Sequence, residues 1–386
     1  MKSIAYPIAL ALLSGILLPG CWDAKEIQYI SYATTLGIDY DDSKQQFVAY
    51  VQVLDFSNVA KQSGSVRTTP GTVWVGKGRG RTLQNAMTDL YSTSQEQIFW
   101  GHTTAVIYHE RLLKANRLQE ALDLTNRYRE LRYTKWVYAT NRPLEDILSV
   151  TPFFKQSPLE SILHQPKEIY RQRSYLTPLQ FQRFVALYNE PAVTASIPIL
   201  DINKSQWREN EKEHPLLFDK GIYAVYRGKW KAAFSEEDIP GLRWIERETV
   251  RVPIDVTVGP GRDASIVILR PKYSVKPRER NGRLAFDIRI AANASINELP
   301  QNVDKSTLLA LARKSIADDI RQTYRKGLQA KVDLLQLGNA LYHKNPRLWR
   351  RYFSGDAFPL REDSLAGVYV RLHLRDTGKY KLRFTD

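Results

Sequence analysis

Little in this chain of 386 residues can do chemistry through sulfur or imidazole: it holds one cysteine, two methionines and six histidines. A lone cysteine, Cys21, excludes an internal disulfide, so stability must come from packed cores. The histidines are scattered, and none forms a His-x-x-x-His spacing with a third ligand, so no metal site is expected. His102 reads as a structural histidine at a strand start. No Gly-x-Ser-x-Gly elbow, Ser-x-x-Lys pair or second cysteine supplies a nucleophile. Accordingly no catalytic residue is assigned, no cofactor is expected, and the chain does not read as an enzyme. Gly76, Gly78 and Gly80 around Lys77 suggest a phosphate loop, but no Gly-Lys-Ser/Thr closes the motif. Thr82 reads instead as the cap of a helix striped by Leu83, Ala86, Met87 and Leu90. The carboxylate pairs Glu236-Glu237 and Asp318-Asp319 lie beside basic residues and read as solvated faces. After the N-terminal segment no run of about 18 apolar residues occurs, so nothing else is expected to span a bilayer.

The composition is that of a globular protein, with 43% hydrophobic and 25% charged residues, and the length allows two or three domains. Basic residues outnumber acidic ones by 56 to 41, a formal net charge of +15. Nucleic acid is set aside as a partner, because no RNP, helix-turn-helix or zinc-finger pattern is present. Two readings of the charge stay open together: attraction to an anionic membrane surface, and an acidic protein partner.

The N-terminus explains the single cysteine. Lys2 precedes an apolar run from Ile4 to Leu18, and Leu17-Leu18-Pro19-Gly20-Cys21 follows. A charged start, a short apolar stretch and small residues at the cut describe a secretory signal peptide. The run is too short for a spanning helix, and Pro7 and Gly15 weaken it further. Leu18, Gly20 and Cys21 fit a lipobox, in which the thiol is diacylated before cleavage on its N-terminal side. The expectation is an S-diacylglycerol and N-acyl group on Cys21, with residues 1–20 removed. Each buried methylene contributes about 0.8 kcal/mol, and two chains suffice for stable anchoring.

Periodicity then gives a coarse map. Tyr32–Tyr40 and Phe47–Leu54 around Asp41-Asp42-Ser43 read as a hairpin. Thr103–Tyr108 and Thr134–Thr140 read as strands flanking a helix with Leu118, Ala121, Leu122 and Thr125 on one face, which permits a crossover. Pro143 starts a short helix, and Thr177-Pro178 reads as the cap and first turn of another. Ala195–Leu200 reads as a strand that Pro198 confines to an edge or an end. The polar stretch 201–214 is the expected linker between an N-terminal domain, 21–200, and a C-terminal one, 215–386, with a further division near 250 as an alternative. Strict alternation marks Val252–Val258, Leu284–Ile290 and Val368–Leu374, with turns at Pro260-Gly261 and Asn281-Gly282. A long helix is expected at 304–328, with Leu309, Ala312, Ile316, Ile320 and Tyr324 on its core face, and Asp333 as the cap of a shorter one. Strands and helices mix without a regular βα repeat, so the expected class is α+β: multi-domain, mixed or antiparallel sheets with packed helices, lipid-anchored at its N-terminus.

On the last strand the apolar face should pack on the 304–328 helix, leaving Arg371, His373 and Arg375 open, with Arg383 nearby in the following hairpin. These four residues are the candidate contact surface; the alternative is solubilising edge-strand charge.

Several short elements are similar, in the same order, to one family. They are Cys21-Trp22-Asp23 with Gly37-Ile38-Asp39, Phe99-Trp100-Gly101-His102, Lys220–Tyr226 with Gly228-Lys229, Asn345–Trp349 and the end near Thr377-Gly378. Together they resemble the Ger(x)C lipoproteins, the C subunits of spore nutrient germinant receptors. Ala24-Lys25 stands where the family often has two basic residues. The resemblance implies a non-catalytic subunit on the outer face of the cytoplasmic (inner spore) membrane. It also implies integral-membrane A and B subunits as partners in the response to nutrients. The alternative is an extracytoplasmic solute-binding lipoprotein of an importer, against which stands the absence of a repeated βα pattern.

Overall fold

Two separate sheets organise the computed structural model, which describes residues 30–54, 72–300, 303–355 and 358–376. Cys21, Arg383 and the expected strand after Gly378 lie outside the described residues. The first sheet opens with β1 (Ile30–Asp41) and β2 (Gln46–Leu54), the expected hairpin, and continues with β3 (Val73–Gly80). Helix α1 (Leu83–Asp89) follows, capped by Thr82, whose Oγ1 accepts from Asn85 N at 3.1 Å. The glycines of β3 are there for this helix. A Cβ on Gly78 would lie 2.2 Å from Ala86 O, and one on Gly80 2.5 Å from Ala86 N, so only glycine lets α1 lie this close.

Next come β4 (Gln97–Phe99), β5 (Ala105–His109), α2 (Glu110–Lys114), α3 (Leu118–Arg127) and β6 (Trp136–Thr140). Strands β5 and β6 are parallel, and α3 buries Leu118, Ala121, Leu122 and Thr125, so the expected crossover is present. Helices α4 (Leu144–Ser149), α5 (Pro166–Gln172) and α6 (Phe181–Asn189) lead to β7 (Thr194–Asn203). A two-residue hairpin, β8 (Arg208–Glu209) and β9 (Lys212–Glu213), precedes β10 (Leu216–Tyr226) and β11 (Lys229–Ser235). The sheet order is β11-β10-β7-β6-β5-β1-β2-β3, with β4 also on β1. Side chains of both faces are buried, in one cluster around Leu36, Val106 and Phe184 and another around Ile107, Tyr138 and Ile147.

Three local readings of the sequence differ from this sheet. Thr177-Pro178 does not open a helix; α6 starts at Phe181 because residues 177–180 run beside β6, where Leu179 O accepts from Val137 N at 2.8 Å. Pro198 sits in an interior strand, between β10 and β6. Pairing of β7 to β6 is confined to Ala139↔Ile199, so a missing N–H at 198 costs little there. The polar stretch 201–214 does not separate two sheets either. Leu216, Leu217 and Phe218 pair with Asn203, Ile202 and Asp201, and the Asp201 carboxylate holds Arg142 at 2.6 Å and Lys220 at 2.8 Å. Strands β10 and β11 therefore complete the first sheet.

The second sheet begins with β12 (Arg251–Gly259), β13 (Arg262–Arg280) and β14 (Arg283–Glu298), an antiparallel meander. Its turns use Gly261 at φ +63° and Asn281-Gly282 at φ 51° and 69°, the left-handed backbone that tight hairpins need. Helix α7 (Lys305–Gln329) starts at Asp304, whose carboxylate accepts from Thr307 N at 2.9 Å. It buries Leu309, Ala312, Ile316, Ile320 and Tyr324, as the 3.6-residue spacing requires. Helix α8 (Leu337–Lys344) begins after Gln336, three residues later than Leu334; Asp333 nonetheless accepts from Gly338 N at 2.6 Å. Helix α9 (Pro346–Phe353) and β15 (Leu365–Asp376) are the last elements among the described residues, with β15 parallel to β14 at the edge of the sheet they form. This α+β architecture is the expected class.

Candidate interaction surface

Buried titratable groups come first, since catalysis would need one of them free. Asp39 on β1 is 1% exposed and is held by Arg111 and by His109, 3.2 Å from its Oδ1. Burial pushes its carboxyl up, but the hydrogen bonds of His109 and Arg111 more than offset this and hold it below the usual range. His109 Nδ1 also lies 3.2 Å from Arg111 N, at the start of α2. His164 is buried against Thr104 and Gln52, its Nε2 3.2 Å from Gln52 Oε1, and burial takes it down to about 3. Lys135 donates to Arg132 O at 2.8 Å and lies 3.6 Å from the Phe181 ring centroid; burial brings its amine down to about 7. Each of these three groups is occupied in holding the fold together. Among the described residues no three His, Cys, Asp or Glu are placed to hold a metal.

Two expected surface pairs need correction. Glu236 is half-buried and bonded to Arg173 at 2.6 Å. Asp319 accepts from Arg243 and from Trp244 Nε1, each at 2.9 Å, and so fixes the turn before β12 onto α7. Asp318 and Glu237 are exposed as expected. His102 is exposed too, its ring edge-on to Tyr32 at 4.9 Å in the turn before β5.

The outer face of the second sheet is different in kind. Strand β15 turns Val368, Val370, Leu372 and Leu374 inward onto the core that α7 shares, and leaves Arg371, His373 and Arg375 exposed. Register then shows which residues join them. Lys272, Ala291 and Arg371 form one rung, and Ser274, Arg289 and Tyr369 the next. Beyond it come Lys276, Asp287 and Gly367. The Tyr369 ring lies over Gly367, where a Cβ would come within 2.7 Å of it, and the Arg289 guanidinium stands 5.7 Å from the ring centroid. Lys272, Arg289 and Arg371 line a shallow groove floored by the small residues Ser274 and Ala291. Asp287 is the one carboxylate of these rungs, and Arg278 already holds it. Lys272, Lys276, Arg371 and Arg375 have no ion-pair partner among the described residues.

Lys272, Lys276, Arg289 and Tyr369 were not among the expected contact residues. The alternation Lys272, Ser274, Lys276, Arg278 carried the signal, but only register shows that it shares a face with β15. Such a face can hold anions through charge and planar guanidinium donors.

Compared with known families, residues 23–202 match the spore germination protein N-terminal domain. Residues 221–378 match the spore germination B3/GerAC-like C-terminal domain. The chain belongs to the Ger(x)C family. Its Ger(x)C relatives include spore germination protein KC of Bacillus subtilis (strain 168), 24% identical over 374 residues, covering 89% of this chain and 88% of that protein. Spore germination protein B3 of the same organism is 22% identical over 347 residues, with 87% and 88% covered. The crystal structure of the GerBC protein has the same fold at a TM-score of 0.52 and 18% identity, covering 91% of this chain and 99% of that one. The matches support spore germination rather than solute import. The second family segment also reaches into the first sheet: residues 221–226 of β10 and all of β11 belong to it, yet both strands lie in the sheet of the first segment.

Proposed function

We propose that this chain is the lipid-anchored C subunit of a nutrient germinant receptor. In this reading it is held through Cys21 on the outer face of the inner spore membrane, beside integral-membrane A and B subunits. Its role is non-catalytic: it passes on or supports the nutrient response by contact. The observation that carries the reading is the pair of family segments in order, the first beginning two residues after the lipobox cysteine.

Geometry agrees with a tethered body. Eight residues lie between Cys21 and Ile30 at the start of β1, a reach of at most about 30 Å when extended. Among the described residues no helix is long and apolar enough to cross a membrane. The basic face of β13–β15, with Arg371, His373 and Arg375 and with Arg383 in the segment that follows, is the proposed contact with a partner subunit or anionic lipid.

The test is to replace the chain in spores by a Cys21→Ala form and compare nutrient-triggered germination with germination by a nutrient-independent stimulus. The reading requires loss of the first alone, with the protein leaving the membrane fraction. Normal nutrient germination by Cys21→Ala spores would sink it.

A further inference from the structure

Five cations on the outer face of the second sheet have no carboxylate to answer them. Lys272, Lys276, Arg289, Arg371 and Arg375 are exposed and in no ion pair among the described residues. Asp287, the one acid of their rungs, is 4% exposed and already held by Arg278. Three of the five converge. Lys272 and Arg371 flank Ala291 on one rung, so their Cα atoms stand two strand spacings apart, about 10 Å. Arg289 rises from the next rung beside Ser274. The space among them, floored by Ala291 and Ser274, is a groove of about 640 Å³. Ligand sites usually fall in the range of about 300–1,000 Å³. Two guanidinium groups and an ammonium around so small a floor suit an oxyanion such as a phosphate.

What the face lacks decides between a protein and a lipid as its occupant. Centres of protein interfaces are poor in lysine and carry a large apolar or aromatic anchor. Here the centre is Ser274, Ala291 and Gly367, with the cations spread around it. A plane of lipid phosphates needs no such anchor and answers many cations at once. Tyr369, 55% exposed beside Arg289, suits the headgroup depth, where tyrosine is enriched.

We infer that the outer face of β13–β15 lies on the headgroup layer of an anionic bilayer, with a lipid phosphate over Ala291 between Lys272, Arg289 and Arg371. The inference rests on the proposed anchor, which keeps the body beside a bilayer, and adds which face meets it. Lying there, the second unit is turned one way toward the proposed membrane partners. Each cation near such a surface strengthens binding about fivefold.

Acetylation of lysines, read residue by residue by mass spectrometry, tests this. The full chain is reconstituted from detergent onto vesicles of phosphatidylcholine, or of an equal mixture with phosphatidylglycerol. Lys44 and Lys305, exposed on other elements, serve as references. Lys272 and Lys276 should react at least about fivefold more slowly on the anionic vesicles, with the references unchanged. Salt at about 1 M, where the Debye length is about 3 Å, should restore their rates. Arg371→Gln with Arg375→Gln removes two of the five charges and should weaken docking about 25-fold, returning both lysines nearly to their rates on neutral vesicles. Flotation with neutral vesicles reports the anchor separately. A chain that floats there while Lys272 and Lys276 stay open on anionic vesicles overturns the inference and leaves the anchor standing. A chain that does not float there but is protected on anionic vesicles supports the inference and removes the anchor. Equal protection by inorganic phosphate on neutral vesicles overturns it in favour of a soluble anion. Protection that requires a partner subunit overturns it in favour of a protein contact.

Discussion

Gln336 holds Thr194 by both backbone groups: its Nε2 donates to Thr194 O at 2.7 Å and its Oε1 accepts from Thr194 N at 3.2 Å. One amide thus ties the start of α8 to the start of β7, across 142 residues of sequence. Around it, Leu176, Ile222 and Phe234 of the first unit pack with Val332 and Leu334 of the second. The junction is a small apolar core with a polar clamp at its rim.

That clamp should be measurable. Gln336→Met keeps length and removes both hydrogen bonds, leaving the Thr194 N–H and C=O without a protein partner. The expected loss is about 2 kcal/mol of unfolding free energy, read by urea denaturation of the full chain. A loss under about 0.5 kcal/mol would mean that the apolar contacts alone hold the units together.

His164 makes a prediction about acid. Its folded pKa, about 3, lies below the unfolded value near 6.5, so the unfolded chain takes up the proton first. Stability is then unaffected above about pH 6.5 and falls by about 1.4 kcal/mol per pH unit between there and about pH 3. His164→Gln removes this dependence. The gap in unfolding free energy between parent and variant should therefore narrow steadily as pH falls from 6.5. A gap that stays constant from pH 7 to pH 4.5 would show that His164 is not held neutral.

The alternating patterns survived into three dimensions because each strand has one face on a core. Val252–Val258, Leu284–Ile290 and Val368–Leu374 read directly, and so did α7, expected at 304–328 and found at Lys305–Gln329. Strand β13 did not, because Pro271, Pro277 and its many charges break the apolar pattern over its outer half. Thr177-Pro178 carried every local sign of a helix start, yet the open N–H of Val137 on β6 competed for that backbone and won. Asp319 and Asp318 are neighbours in sequence, and only the packing of Arg243 and Trp244 decides which is buried. The basic residues of β15 were legible from their period; their companions on β13 and β14 depend on register between strands about 80 to 100 residues apart in sequence, which no local pattern encodes.

The basic face separates from the fold by charge reversal. Arg371, Arg375 and Arg383 changed together to Glu should shift unfolding free energy by less than about 0.5 kcal/mol per site, since the two described side chains are exposed and unpaired. Nutrient response and recovery with partner subunits should fall sharply in the same spores. If folding, assembly and response all survive the triple reversal, these charges only solubilise an edge strand.

The central claim is the lipid on Cys21. Mass spectrometry of the protein extracted from spore membranes should find a mature N-terminal peptide beginning Cys21-Trp22-Asp23 and carrying an S-diacylglycerol and an N-acyl group. A mature chain that retains residues 1–20, or one that starts elsewhere with no lipid on Cys21, would contradict the account.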